Sequence, residues 1–194
     1  MKLSILIPTT PDREKEFSRL MKELQRQIKS GRLSKVAEII SMCDNKEMTI
    51  GEKRNRLYLQ AKGEYSVQWD SDDWIHAEGI SLIIEAMKDK PDCITYKELI
   101  IWDGKRVQSS NFSLTYNDWK DNEDGFNYVR TPFFKTPIKT DICKSVTIPD
   151  IRFGEDHAFS RLVNPKLKTE TYIDEFIYWY TPHQSPHNER YGIK

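Results

Sequence analysis

The chain lacks several features that would fix its class at once. Its 194 residues carry no net charge, with 30 Lys and Arg against 30 Asp and Glu. No overall positive field is therefore available to hold a polyanion nonspecifically. Duplex nucleic acid is disfavoured as a partner on that ground, and no basic run restores it; only contact with a single modified base stays open. No apolar run approaches the roughly 20 residues that span a bilayer. The amino-terminal Leu3-Ser4-Ile5-Leu6-Ile7 is too short for a signal-peptide core and is cut off by Pro8. A cytoplasmic chain without a transmembrane segment is expected. The three cysteines, Cys43, Cys93 and Cys143, are widely spaced and odd in number. They suggest neither a disulfide framework nor a Cys-x-x-Cys zinc site, and read as buried free thiols. There is no internal repeat and no low-complexity linker, and the length suits one domain.

What is present is an alternation of strand and helix patterns. Leu3 to Ile7 is an unalternating apolar run that ends at Pro8-Thr9-Thr10-Pro11, as a buried parallel strand feeding a loop would. Phe17, Leu20, Met21, Leu24 and Ile28 then recur at helical spacing until Gly31. Val36 to Met42 reads as a second strand, Ile50 to Ala61 as a second helix, and Tyr65 to Trp69 as a third strand. Ile75 to Lys88 has helical period. Ile94 to Trp102 is strand-like and turns at Asp103-Gly104 into Arg106 to Ser109. Residues 110 to 135 show no regular pattern, and short helices are expected at Thr140 to Val146 and Glu155 to Leu162.

The third strand runs into Asp70-Ser71-Asp72-Asp73. Ligands of open α/β sheets bind beyond the carboxyl ends of the strands. Carboxylates this close repel one another unless a cation relieves them, and hard Mg²⁺ or Mn²⁺ prefers oxygen ligands. A solvated acidic turn, with Asp73 capping the next helix, would account for the same residues.

The surrounding segments carry a resemblance. Gly51-Glu52-Lys53-Arg54-Asn55, Ala61-Lys62-Gly63-Glu64-Tyr65 and the aspartate cluster resemble, in order and spacing, the donor half of family 2 glycosyltransferases. Ser4-Ile5-Leu6-Ile7-Pro8-Thr9 and Phe153-Gly154-Glu155-Asp156-His157-Ala158-Phe159 extend the likeness over most of residues 3 to 160. The resemblance implies a single GT-A domain over residues 1–194, Rossmann-like, with a mixed, mostly parallel sheet flanked by helices. Residues 1–102 would form the nucleotide-sugar half and 103–194 the acceptor and catalytic half. It implies an inverting, metal-dependent transfer of one sugar, from a UDP-sugar by preference, to the hydroxyl of a glycan or other acceptor.

By the same resemblance, Thr9, Arg13 and Asp44 would meet the nucleotide base. Lys53 and Arg54 would meet the diphosphate, with Asn55 fixing the strand-end loop. Asp72 would contact ribose or metal, Asp73 would be the leading ligand of Mn²⁺ or Mg²⁺, and Asp70 would be least involved. Asp156 would be the base and Glu155 would orient the acceptor or a loop. His183 would complete the metal shell, with His187 in reserve; Pro186 between them argues against a helical zinc pair. Each residue also has an ordinary structural use as a cap, turn or surface charge. Trp102, Tyr116 and Trp119 are candidates for an acceptor wall, since aromatic rings stack on the apolar faces of sugars. A nucleotidyltransferase would bring a Gly-rich loop after the first strand, and Pro8-Thr9-Thr10-Pro11 has no glycine. A noncatalytic nucleotide- or glycan-binding domain is the remaining rival.

Overall fold

The computed structural model describes residues 1–102, 104–151 and 154–182. Strand β1 (Leu3–Thr9) is buried at every position, and helix α1 (Glu14–Ser30) follows it through a turn at Pro11–Arg13. The apolar stripe of α1 buries Leu20 and Leu24, with Phe17, Met21 and Ile28 packed at its margins. Arg32, and not Gly31, takes the left-handed conformation after this helix. Next come β2 (Ala37–Cys43), α2 (Ile50–Gln60) and β3 (Tyr65–Gln68). Parallel pairing of β1 with both β2 and β3 sends all three carboxyl ends to one side. Thr49 caps α2 by accepting the Glu52 N–H at 3.2 Å.

Two glycines permit backbone contacts that a side chain would block. A Cβ at Gly63 would lie 2.6 Å from the Ser4 nitrogen, and one at Gly51 2.6 Å from the Pro149 oxygen. Gly63 lets the connection between α2 and β3 lie against β1, and Gly51 lets the first turn of α2 lie against Pro149.

The region read as a helix from Ile75 begins instead with β4 (Trp74–Ile75), and α3 (Gly79–Ala86) starts later. Trp74 and Ile75 pair with the last strand, so tertiary pairing overrides local period here. The hairpin of β5 (Cys93–Trp102) and β6 (Arg106–Phe112) matches its expected place. The segment without legible pattern holds β7 (Lys120–Glu123) and β8 (Phe126–Arg130), joined by a turn at Asp124 and Gly125, both at positive φ, as is Asn122 within β7. After β9 (Ile138–Lys139) come α4 (Thr140–Lys144), α5 (Glu155–Val163) and the long β10 (Glu170–Tyr180).

The result is one mixed sheet in the order β2-β1-β3-β9-β5-β6-β8-β7, with β10 joining β5 and β4. Register shifts between Ile173 and Tyr178 bring Tyr178 opposite Glu98 and Tyr180 opposite Ile100. Cys93 and Cys143 are buried as expected, but Cys43 is exposed because β2 is an edge strand whose end leaves the core. No helix among the described residues is long and apolar enough to cross a membrane.

Candidate active site

Two cavities open beyond the carboxyl ends of β1 and β3. The first, about 500 Å³, lies between the Pro8–Arg13 turn, the amino-terminal part of α2 and the aspartate loop. The second, about 350 Å³, is walled by β5, β6, β8 and the start of α5. Arg54, Asp70, Trp102 and Tyr180 line both, so the cavities meet along that seam.

Opposed charges are paired around the first cavity. Arg54 reaches Asp70 at 2.6 Å, and its guanidinium also lies 3.7 Å from the centre of the Phe134 ring. Burial pushes the Asp70 carboxyl up, but Arg54 and Lys135 outweigh burial and hold it below the usual carboxylate range. Asp70 thus sits at the junction of the cavities with its carboxylate paired to Arg54. Arg13 meets Asp72 at 2.7 Å. Lys53 is buried, donates to the Thr9 carbonyl at 2.7 Å and pairs with Asp44. The Lys53 ammonium holds the Asp44 carboxyl below its ordinary value, and the second Asp44 oxygen accepts the Met48 N–H at 2.7 Å.

Asp73 and Asp72, adjacent in sequence, stand in different surroundings. Asp73 is buried, and both its oxygens are taken by protein donors: the Tyr178 hydroxyl at 2.5 Å and the Thr181 N–H at 2.9 Å. Burial, with Asp70 and Asp72 nearby, pushes its carboxyl up to about 7. Asp73 is therefore a tie between the aspartate loop and the end of β10, and Asp72 is the aspartate after Asp70 that lines the cavity. Asn55 likewise turns away from the strand end. Its amide donates to the Ile148 carbonyl and accepts the Ile148 N–H, both at 2.9 Å, which fastens α2 to the segment before α5. His183 and His187 lie outside the described residues.

Glu155 and Asp156, in the first turn of α5 after Gly154 at φ 78°, face the second cavity. Burial raises the Glu155 carboxyl above its ordinary value, and the neighbouring Asp156 adds to that. Asp156 also accepts the His157 N–H at 2.7 Å.

Trp102 and Trp119 form part of the aromatic wall as expected. Tyr116 does not: its hydroxyl accepts from Asn111 at 2.9 Å, and the ring lines a separate hollow near Asn164 and Leu167. Trp119 is held from three directions. Its ring stacks on His157 at 4.8 Å and lies under Arg130 at 5.0 Å, and its backbone N–H donates to Asp118, which also accepts from His157 at 2.8 Å.

Lys135 and Glu98 escaped the sequence reading. They form a buried pair at 3.1 Å in the second cavity, with the ammonium 4.0 Å from the centre of the Tyr180 ring. Burial opposes the charge of Lys135, but Glu98, Asp73 and Asp70 outweigh it and keep it protonated. The available signal was a lysine and a glutamate inside otherwise apolar strings, Phe133-Phe134-Lys135 and Lys97-Glu98-Leu99-Ile100. Such charges are rarely buried without a partner.

No protein-family model and no curated protein matches this sequence. Solved structures do match. Residues 1–349 of S. aureus TarS superpose with a TM-score of 0.67 at 18% identity, over 93% of this chain and 60% of that one. The same protein in complex with UDP-GlcNAc gives 0.68 at 18% over 97% and 61%. Its complex with UDP gives 0.66 at 18% over 100% and 63%. The chain thus spans about three fifths of the structures it matches, and at this identity the likeness establishes the fold: a mixed α/β sheet of the GT-A type, flanked by helices.

Proposed function

We propose that the protein transfers one glycosyl group from a nucleoside diphosphate sugar to an acceptor hydroxyl, with inversion and with Mn²⁺ or Mg²⁺. The observation that carries this reading is the shared seam. A cavity lined by Arg13, Lys53, Arg54 and Asp72 suits a diphosphate, and it adjoins an aromatic cavity bearing Glu155 and Asp156. A sugar lying across Arg54, Asp70, Trp102 and Tyr180 would present its anomeric carbon to an acceptor beside α5. The presence of UDP and UDP-GlcNAc in the TarS complexes supports a uridine nucleotide here. The base would then rest against the loops after β1 and β2, near Thr9, Arg13 and Asp44.

The residues fit a hard divalent ion. Asp72 offers oxygen at the cavity wall, and the Arg13 guanidinium already stands beside it as a cation. Among the described residues no ready group of three or more His, Cys, Asp or Glu side chains could hold a metal, so the diphosphate must supply part of the shell. His183, next in sequence to the cavity-lining Pro182, is the proposed protein partner of Asp72. When bound, the ion would neutralise charge developing on the departing nucleoside diphosphate.

The chain's own residues would do the rest. Lys53 and Arg54 would hold the diphosphate by charge-assisted bonds. Asp156 would take the acceptor proton as the hydroxyl attacks from the face opposite the leaving group, and Glu155 would orient that hydroxyl. Trp102 and Trp119 would stack on the acceptor, fixing its approach.

A thermal-shift panel of UDP-, GDP- and TDP-sugars with and without Mn²⁺ tests the donor part of this reading. A metal-dependent rise with UDP-sugars is expected. No rise with any nucleotide would contradict it.

A further inference from the structure

The carboxylates around the donor cavity each have a protein cation against them. Asp12 faces Lys46 at 3.0 Å, Asp70 faces Arg54 at 2.6 Å, Asp72 faces Arg13 at 2.7 Å, and Asp44 faces Lys53. A divalent ion that reaches a carboxylate of such a set leaves the displaced cation without its partner. A diphosphate that reaches one of the cations uncovers a carboxylate in the same way. Arriving together, the two exchange partners with the protein, and no charge is left uncompensated in a half-enclosed site.

The pairs are not equally able to exchange. The side chains of Lys53 and Arg54 are each 4% exposed. Both are held by further contacts, Lys53 by the Thr9 carbonyl and Arg54 by Gln68 and the Phe134 ring. Lys46 and Asp12 lie at the rim, with side chains 68% and 55% exposed, and their attraction is weak in water. The Arg13 side chain is 42% exposed while Asp72 is 7% exposed, so a half-solvated guanidinium covers a nearly buried carboxylate. Arg13 also ends the short turn after β1, at the position before the first residue of α1, so its place is set by backbone while its side chain is half in solvent.

We propose that Arg13 is a positioning residue that holds the cation place at Asp72 in the free protein and moves to the diphosphate when the donor arrives. Asp72 is thereby a poor ligand for a divalent ion alone and a good one once a diphosphate is present. This rests on the reading of Asp72 as the metal-facing carboxylate, and it changes the part of Arg13 from base contact to switch between two anionic partners. The consequence is ordered loading: the free site does not collect metal, and metal and donor enter together.

Mn²⁺ binding, followed by the electron paramagnetic resonance of the free ion without any acceptor, tests this apart from turnover. In the unaltered protein Mn²⁺ alone should bind weakly, and saturating UDP should tighten it by about 10- to 100-fold. Arg13→Gln should tighten Mn²⁺ alone by about tenfold and shrink the gain from UDP by the same factor. Lys46→Gln removes equal charge from the rim of the same cavity and should change Mn²⁺ affinity by no more than about twofold. Unchanged affinity for Mn²⁺ alone in Arg13→Gln, or equal tightening in Lys46→Gln, would overturn the role given to Arg13. UDP-dependent Mn²⁺ binding that is lost in Asp72→Asn would still uphold the metal site in that event. Mn²⁺ binding that Asp72→Asn leaves unaltered, with and without UDP, would overturn both.

Discussion

The two cavities are built on different principles. The first cavity is ringed by ion pairs whose members come from sequence neighbours of parallel strand ends: Arg13 after β1, Asp44 after β2, Lys53 and Arg54 on α2, and Asp70 and Asp72 after β3. The second is an aromatic enclosure around one buried pair, Lys135 and Glu98, assembled from strands of mixed direction. On the proposed reading the first acts through exchangeable charge and the second through fixed shape. Substitutions should therefore act differently on the two sides, on ligand coupling in one and on stability and acceptor affinity in the other.

The sharpest way to break that comparison is at Asp156. Asp156→Asn should lower transfer by about 10²- to 10⁴-fold while UDP affinity, measured by calorimetry, stays unchanged. A parallel loss of UDP binding would mean the cavities are not functionally separate. Lys135→Met leaves Glu98 buried without its partner, and should destabilise the protein by about 3–5 kcal/mol in denaturant unfolding. A loss below about 1 kcal/mol, the scale of an exposed pair, would show that the pair is solvated.

Asp72 and Asp73, adjacent in sequence, should separate the two kinds of effect. Asp72→Asn should abolish metal-dependent UDP binding with little change in melting temperature. Asp73→Asn should keep that binding and cost about 1–2 kcal/mol through its contacts with Tyr178 and Thr181. For a chain of this size that corresponds to a fall of about 2–8 °C. The reverse pattern would return the metal to Asp73. The smallest effect is expected at Trp119: Trp119→Ala should raise the acceptor KM by about tenfold, from one lost stacking surface, and leave donor hydrolysis unchanged.

The same contrast explains what could be read in the sequence. The opening of the β1-α1-β2-α2-β3 run was legible because β1 and β3 are buried throughout and α1 along one stripe, so apolar period tracks structure directly. The aspartate loop was legible because parallel strands deliver their following residues to one edge, whereas Lys53 and Arg54 were reached through the resemblance. The acceptor side was not. Strand β7, Lys-Asp-Asn-Glu, is an edge strand with no apolar face, and only its pairing with β8 defines it. The pairing of Lys135 with Glu98 joins residues distant in the chain. The parts of Asp72 and Asp73 depend on where β10 ends, because Tyr178 and Thr181 are what draw Asp73 inward. Tyr116 and Trp119 sit three positions apart in an irregular segment, and no local period says which faces the site.

If the proposed transfer is right, the two cavities act on one substrate across their seam. The measurement is UDP released from a UDP-sugar in the presence of Mn²⁺, compared between the unaltered protein and Asp156→Asn, with UDP binding measured on both. Mn²⁺-dependent release by the unaltered protein, lost in Asp156→Asn while both bind UDP equally, is the predicted result. Equal release by the two proteins, or UDP binding by neither, would contradict it.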